Sequence, residues 1–179
     1  MKPARGRALL ALLCLFVWGM APARSKEPEP ILAPFGMSWG LAPDDIEEIL
    51  RETKIPVSAR EQEGSNLSIE VTGLRQKNLL RAIFHFEDVV FCELEIQLGR
   101  AEWTTADYSR YFLETKKVLD VRYGRGFPLV IEKSKEGNMD TFFVGYYWSQ
   151  FGGNIRLFLF QASSPAGEIS LLSQHYRAF

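Results

Sequence analysis

Histidines, cysteines and close carboxylate pairs are the raw material for metal, nucleophilic or acid–base chemistry, and this 179-residue chain holds few of them. A metal site wants His, Cys, Asp or Glu clustered at ligand spacing. His85, Cys92 and His175 stand far apart in sequence, so neither a metal nor a cofactor is expected. No catalytic serine elbow and no Walker-type phosphate loop are expected either. Carboxylates do pair, at Asp44-Asp45, Glu47-Glu48 and Glu93/Glu95. The first pair suits the positive end of a helix dipole, and the last reads as a solvated strand face. A hydrolase whose two carboxylates come from distant segments remains an open alternative, because glycosidic chemistry needs only such a pair flanking the bond.

The elements that would position any site can be read from the spacing of apolar residues. Ala42-Pro43-Asp44-Asp45 opens a helix with Ile46, Ile49 and Leu50 on its apolar face, and it stops before Pro56. Leu67, Ile69 and Val71 alternate with polar residues as a half-buried strand, followed by a second through Leu80, Ala82, Phe84 and Phe86. A third places Val90, Cys92, Leu94, Ile96 and Leu98 on one face, which predicts Cys92 as a buried small hydrophobe. Thr104 caps a second helix, with Asp107 three positions later, and Gly124 ends it. Strands resume at 127–132, 141–150, 154–161 and 168–176. The pattern predicts an α+β domain, an antiparallel sheet with two helices packed on one face, built as two helix-plus-three-strand halves that meet near Arg100.

Gly152-Gly153 predicts a two-residue hairpin turn that pairs Trp148 with Leu157. One face then carries Tyr146, Trp148, Ile155, Leu157 and Leu159, assigned to the core. The other carries Phe143, Tyr147, Arg156, Phe158 and Phe160, an aromatic surface with an arginine, the composition that interfaces favour. This face is the candidate binding surface, unless the N-terminal tether or a second layer covers it.

Lys2, Arg5 and Arg7, the apolar run from Ala8 to Met20 and then Ala21-Pro22-Ala23 follow the order of a cleavable secretory signal peptide. Residues 1–23 are assigned to it, with cleavage after Ala23, residues 24–34 to a proline-rich tether, and residues 35–179 to a single domain. The run is shorter than the about 20 apolar residues of a membrane span, so no stable transmembrane segment is expected after cleavage. Cleavage removes Cys14 and leaves Cys92 without an intramolecular partner. It also leaves 18 basic against 22 acidic residues, a balance that argues against nucleic acid as a partner.

The stretch Pro34-Phe35-Gly36-Met37-Ser38-Trp39-Gly40 before Asp45-Ile46 resembles the F-G-x-x-W-G opening of small exported bacterial proteins of uncharacterised function, with Arg122-Tyr123-Gly124, Trp148 and Ile155-Arg156-Leu157 as further positions of that pattern. Helix-then-strands halves are also similar to the architecture of beta-lactamase inhibitory protein and of the small lipoprotein in the outer-membrane barrel-assembly machinery. The resemblance implies a periplasmic binding or assembly module acting on an envelope protein or component, and it carries over no catalytic residues. The opening motif also has a structural explanation, in which its glycines allow a tight turn while Phe35 and Trp39 cover the sheet. A non-enzymatic, exported binding module is the expectation, with a periplasmic hydrolase acting on a cell-wall or glycan substrate as the alternative.

Overall fold

A computed structural model describes residues 29–179; the expected signal peptide, its cleavage site, Cys14 and the first part of the tether lie outside the described residues. Helix α1 (Pro43–Glu52) precedes strands β1 (Val57–Glu63), β2 (Asn66–Val71), β3 (Leu79–Glu87) and β4 (Val90–Leu98). Helix α2 (Thr105–Tyr123) precedes β5 (Phe127–Glu136), β6 (Met139–Gln150), β7 (Gly153–Ser164) and β8 (Gly167–Ala178).

Both helices start where their side chains satisfy the free N–H groups of a helix end. Pro43 occupies the first helical position of α1, and the Asp45 carboxylate accepts from the Ala42 N–H at 3.2 Å. In α2, Thr104 and Asp107 exchange hydrogen bonds reciprocally, with the Thr104 N–H donating to Asp107 at 2.9 Å. Ile46 and Leu50 of α1, and Phe112, Leu119 and Tyr123 of α2, turn into the core.

All eight strands form one antiparallel sheet in the order β1-β2-β3-β4-β8-β7-β6-β5. This corrects the expected α+β layout of two helix-plus-three-strand halves: the chain is dominated by sheet, and each helix is followed by four strands. Strand β1 escapes a reading by periodicity because it is an edge strand, exposed along its length except at half-buried Ala59. Its charged residues blunt an edge that would otherwise invite pairing. The halves are joined by β4 pairing with β8, so Leu94 lies opposite Tyr176, which lies opposite Ile155, which lies opposite Trp148.

That row marks the face on which the helices pack. Ile69, Phe84, Leu94, Ile155 and Trp148 are buried along it, together with Ile96, Leu98, Leu157, Leu159 and Leu172. No helix among the described residues is long and apolar enough to cross a membrane.

Three local departures from the expected pattern have identifiable causes. Register shifts between His85 and Phe86 where they meet β4, so Phe91 rather than Val90 enters the core. Cys92, expected inside, is only half-buried there, with its thiol 3.5 Å from the His85 carbonyl. Burial, followed by the Glu87 charge, pushes that thiol up from its ordinary value, which keeps it protonated.

The β6–β7 turn uses Phe151 and Gly152 instead of Gly152-Gly153, and only Gly152 takes a positive φ, +92°. Trp148 therefore pairs with Ile155 rather than Leu157. A shift of two residues leaves every side chain on its expected face. The turn is also where the tether docks: the Ile31 N–H donates to the Phe151 carbonyl at 3.0 Å, and a Cβ on Gly152 would lie 2.9 Å from the Ile31 carbonyl oxygen. Ile31 is fully buried, so this end of the expected tether belongs to the folded body.

The β3–β4 turn puts Asp88 and Val89 both at positive φ, +50° and +61°. A β-branched residue is strained in that region, where hairpins normally carry glycine or asparagine. Val89→Gly is expected to raise stability by about 0.5–1 kcal/mol, because the relief of strain exceeds the extra entropy of glycine in the unfolded chain. A urea midpoint that falls instead would mean that the valine side chain is held by contacts worth more than its strain.

Candidate functional site

Because both helices pack on one face, the residues that alternate with the core form a second, uncovered face. Its aromatic half is built on β6 and β7. The Phe143 ring stacks on Phe158 with centroids 5.6 Å apart and meets Phe160 edge-on at 6.4 Å. Phe158 lies across Gly145, its partner on β6, and a Cβ there would run into the ring. Glycine at 145 is what lets a phenyl ring lie flat on the sheet. Tyr147 pairs with Arg156, so the five expected surface residues Phe143, Tyr147, Arg156, Phe158 and Phe160 do share one face, each of them half-buried.

The neighbouring strands β8, β4 and β3 bring a charged cluster to the same face. Glu93 on β4 is only 8% exposed, which corrects its assignment to a solvated strand face. Its carboxylate accepts from Arg156 at 2.5 Å, from Arg177 at 3.2 Å and from His175 Nδ1 at 2.8 Å. Burial on its own pushes this carboxyl up. The His175 hydrogen bond and then the Arg156 charge outweigh burial and bring it down to about 2. With Glu93 ionised, His175 Nδ1 carries the proton, and Nε2 lies 3.0 Å from the Ser173 hydroxyl. The edge of the His175 ring faces Phe158 at 5.5 Å, which joins the charged half to the aromatic half.

Further along β4, burial likewise raises the Glu95 carboxyl, and the His85 ring 3.6 Å away together with a 2.7 Å hydrogen bond from Gln97 lowers it by more. Arg81 extends the chain of contacts by bonding Gln97 at 2.8 Å and Glu70 at 2.6 Å. A hollow of about 500 Å³ opens here, walled by Glu61, Glu63, His85, Glu93, Glu95 and Arg177. Five carboxylates, Glu87 among them, thus line one concavity, and Glu93 and Glu95 are its least exposed. Glu93 and Glu95 are both held ionised, however, so neither of this pair stands ready to protonate a leaving group. Among the described residues no group of three or more His, Cys, Asp or Glu is placed to hold a metal ion.

The opening motif corrects the sequence reading on one further point, since Gly36-Met37-Ser38-Trp39-Gly40 does have the spelling G-x-S-x-G. A nucleophile elbow joins a strand to a helix and presents its serine to a histidine. Here the segment follows a 3-10 turn at Pro34–Gly36, and Ser38 is exposed with no histidine bonded to it. The motif works structurally: Gly40 and Leu41 exchange backbone hydrogen bonds with Phe91 at 3.0 Å, and the Trp39 ring packs on Phe91 at 5.0 Å.

The part of this face that sequence reasoning missed is the cluster around Glu93. A signal was present, because Glu93-Glu95-Gln97 and Ser173-His175-Arg177 are both polar at period two. Only the pairing of β4 with β8 shows that the two runs are cross-strand neighbours. No protein-family model, curated protein or solved structure matches this chain.

Proposed function

We propose that the protein is an exported, non-enzymatic binding module that engages an envelope protein or other envelope component through the uncovered sheet face. The observation that carries this reading is the stacked cluster of Phe143, Phe158 and Phe160, which is half-exposed on a face that no helix among the described residues covers. Aromatic residues are large, rigid anchors that lose little entropy on docking, which is why interfaces concentrate them. Export rests on the charged, apolar and small-residue order of residues 1–23.

The glycan or cell-wall hydrolase reading is supported by the acidic hollow alone, and Glu93 and Glu95, held ionised, do not supply its general acid.

Tyr147→Ala and Phe158→Ala test the binding reading by in-cell crosslinking and affinity capture of the tagged protein beside wild type. Both variants are expected to fold, with capture reduced at least about ten-fold, in keeping with the size of a central aromatic anchor. Gly145→Ala serves as a third variant, because it displaces the Phe158 ring without removing it. Undiminished capture by all three folded variants would place the binding surface elsewhere.

A further inference from the structure

Helix α2 packs over β6, β7 and β8, and it leaves the helix-side face of the edge strand β5 bare. Only Val130 of β5 is even half-buried, and Ile131, which belongs on the helix side opposite Val144, is 61% exposed. Leu113, 62% exposed on α2, lines the same gap. Between helix and strand runs an apolar cleft of about 310 Å³, floored by Phe142, Val144 and Leu159 and walled by Phe112. A second hollow of about 300 Å³ shares Phe142 and continues the groove toward Thr105 at the start of α2.

The polar groups within reach of this groove are largely committed. The Ser109 hydroxyl donates to the Thr105 carbonyl at 3.1 Å, and Gln161 Nε2 donates to the same carbonyl at 2.8 Å. Lys116 is bonded to Asp120 and Lys135 to Asp140. Lys133 is different: it makes no ion pair among the described residues, and its ammonium lies 5.5 Å from the Phe142 ring centroid, where the two hollows meet. The backbone of the β6 floor is already paired on both sides, so a peptide laid in the groove would find no backbone partner there. A hydrocarbon chain needs none.

We infer that this cleft binds the acyl chain of a single-chain amphiphile, a free fatty acid, with its carboxylate held at Lys133. The site lies on the opposite face of the sheet from the aromatic cluster and is independent of it. Val144 and Leu159 of the floor are buried core residues, so the site is preformed, which lowers the cost of ordering a ligand.

Titration of the folded protein with dodecanoate below its micelle-forming concentration, followed by two-dimensional NMR, tests the inference. Saturable shifts are expected at Phe142, Val144 and Leu159. Ile131→Asp and Leu113→Asp alter exposed residues, so the urea midpoint should hold while affinity falls at least about ten-fold. Lys133→Glu should weaken dodecanoate by a similar factor and leave the uncharged dodecanol unchanged. Unaltered affinity in both aspartate variants, equal effects of Lys133→Glu on acid and alcohol, or binding to phospholipid vesicles without binding of the monomeric acid would each overturn it.

Discussion

Glu93→Gln is expected to lower stability at neutral pH by roughly 3 kcal/mol and to reduce the loss that the wild-type protein suffers on acidification. The carboxyl titrates at about 2 in the fold, against an ordinary 4.5. A carboxyl depressed by folding stabilises the native state fully above its unfolded value. That contribution disappears as pH falls through the folded value. The wild-type unfolding free energy should therefore decline between about pH 4.5 and about pH 2, while the variant, which keeps the depressed carboxyls of Glu95 and Asp120, should decline less steeply across that window.

The effect is large because the cluster is closed on itself. Arg156, Arg177 and His175 converge on one carboxylate that is 8% exposed, and a neutral amide leaves the Arg156 guanidinium without its counter-charge, while Arg177 keeps Glu87 at 2.7 Å. Urea titrations across the pH range check this. Parallel pH curves for the two proteins would show that acid sensitivity arises elsewhere.

Trp148→Ala is expected to cost about 3–5 kcal/mol, the range for truncating a buried aromatic side chain. Trp148 is 2% exposed and ties the end of α2 to β6. Its indole N–H donates to the Gly124 carbonyl at 3.0 Å and lies 3.2 Å from an Asp120 oxygen. The same Asp120 oxygen accepts from the Gly126 N–H at 2.9 Å, and a Cβ on Gly126 would collide with the indole ring. Arg122-Tyr123-Gly124 and Trp148, paired in the sequence by resemblance, are thus paired in space by a joint that ends the helix and turns the chain into β5.

Alanine at 148 leaves both a cavity and orphaned acceptors. Phenylalanine leaves mainly the latter, so Trp148→Phe should lose about 1–2 kcal/mol. Equal losses in the two variants, measured by chemical denaturation, would mean that the hydrogen bonds rather than the ring hold the joint.

The helices were legible because their signals are local. Pro43 with Asp45, and Thr104 with Asp107, mark starts within four residues. The faces of β6 and β7 were legible too, since alternation is local and survived a two-residue error in the turn. Pairing is not local. Nothing in 90–98 announces that Phe91 displaces Val90 at a register shift, or that Glu93 lies opposite Arg177, 84 residues away. Strand β1 carries almost no burial to betray it. For the same reason the aromatic surface could be named from one hairpin, while the cluster beside it, drawn from β4, β7 and β8, could not.

A photo-crosslinking residue placed at Phe160, set against one at Val121 on the exposed side of α2, would test the role of the uncovered sheet face most directly. With the folded protein in its own compartment, position 160 should yield a discrete crosslinked species that Phe158→Ala abolishes, and position 121 should yield none. A species captured from position 121 and not from 160 would contradict the assignment of the aromatic sheet face as the binding surface.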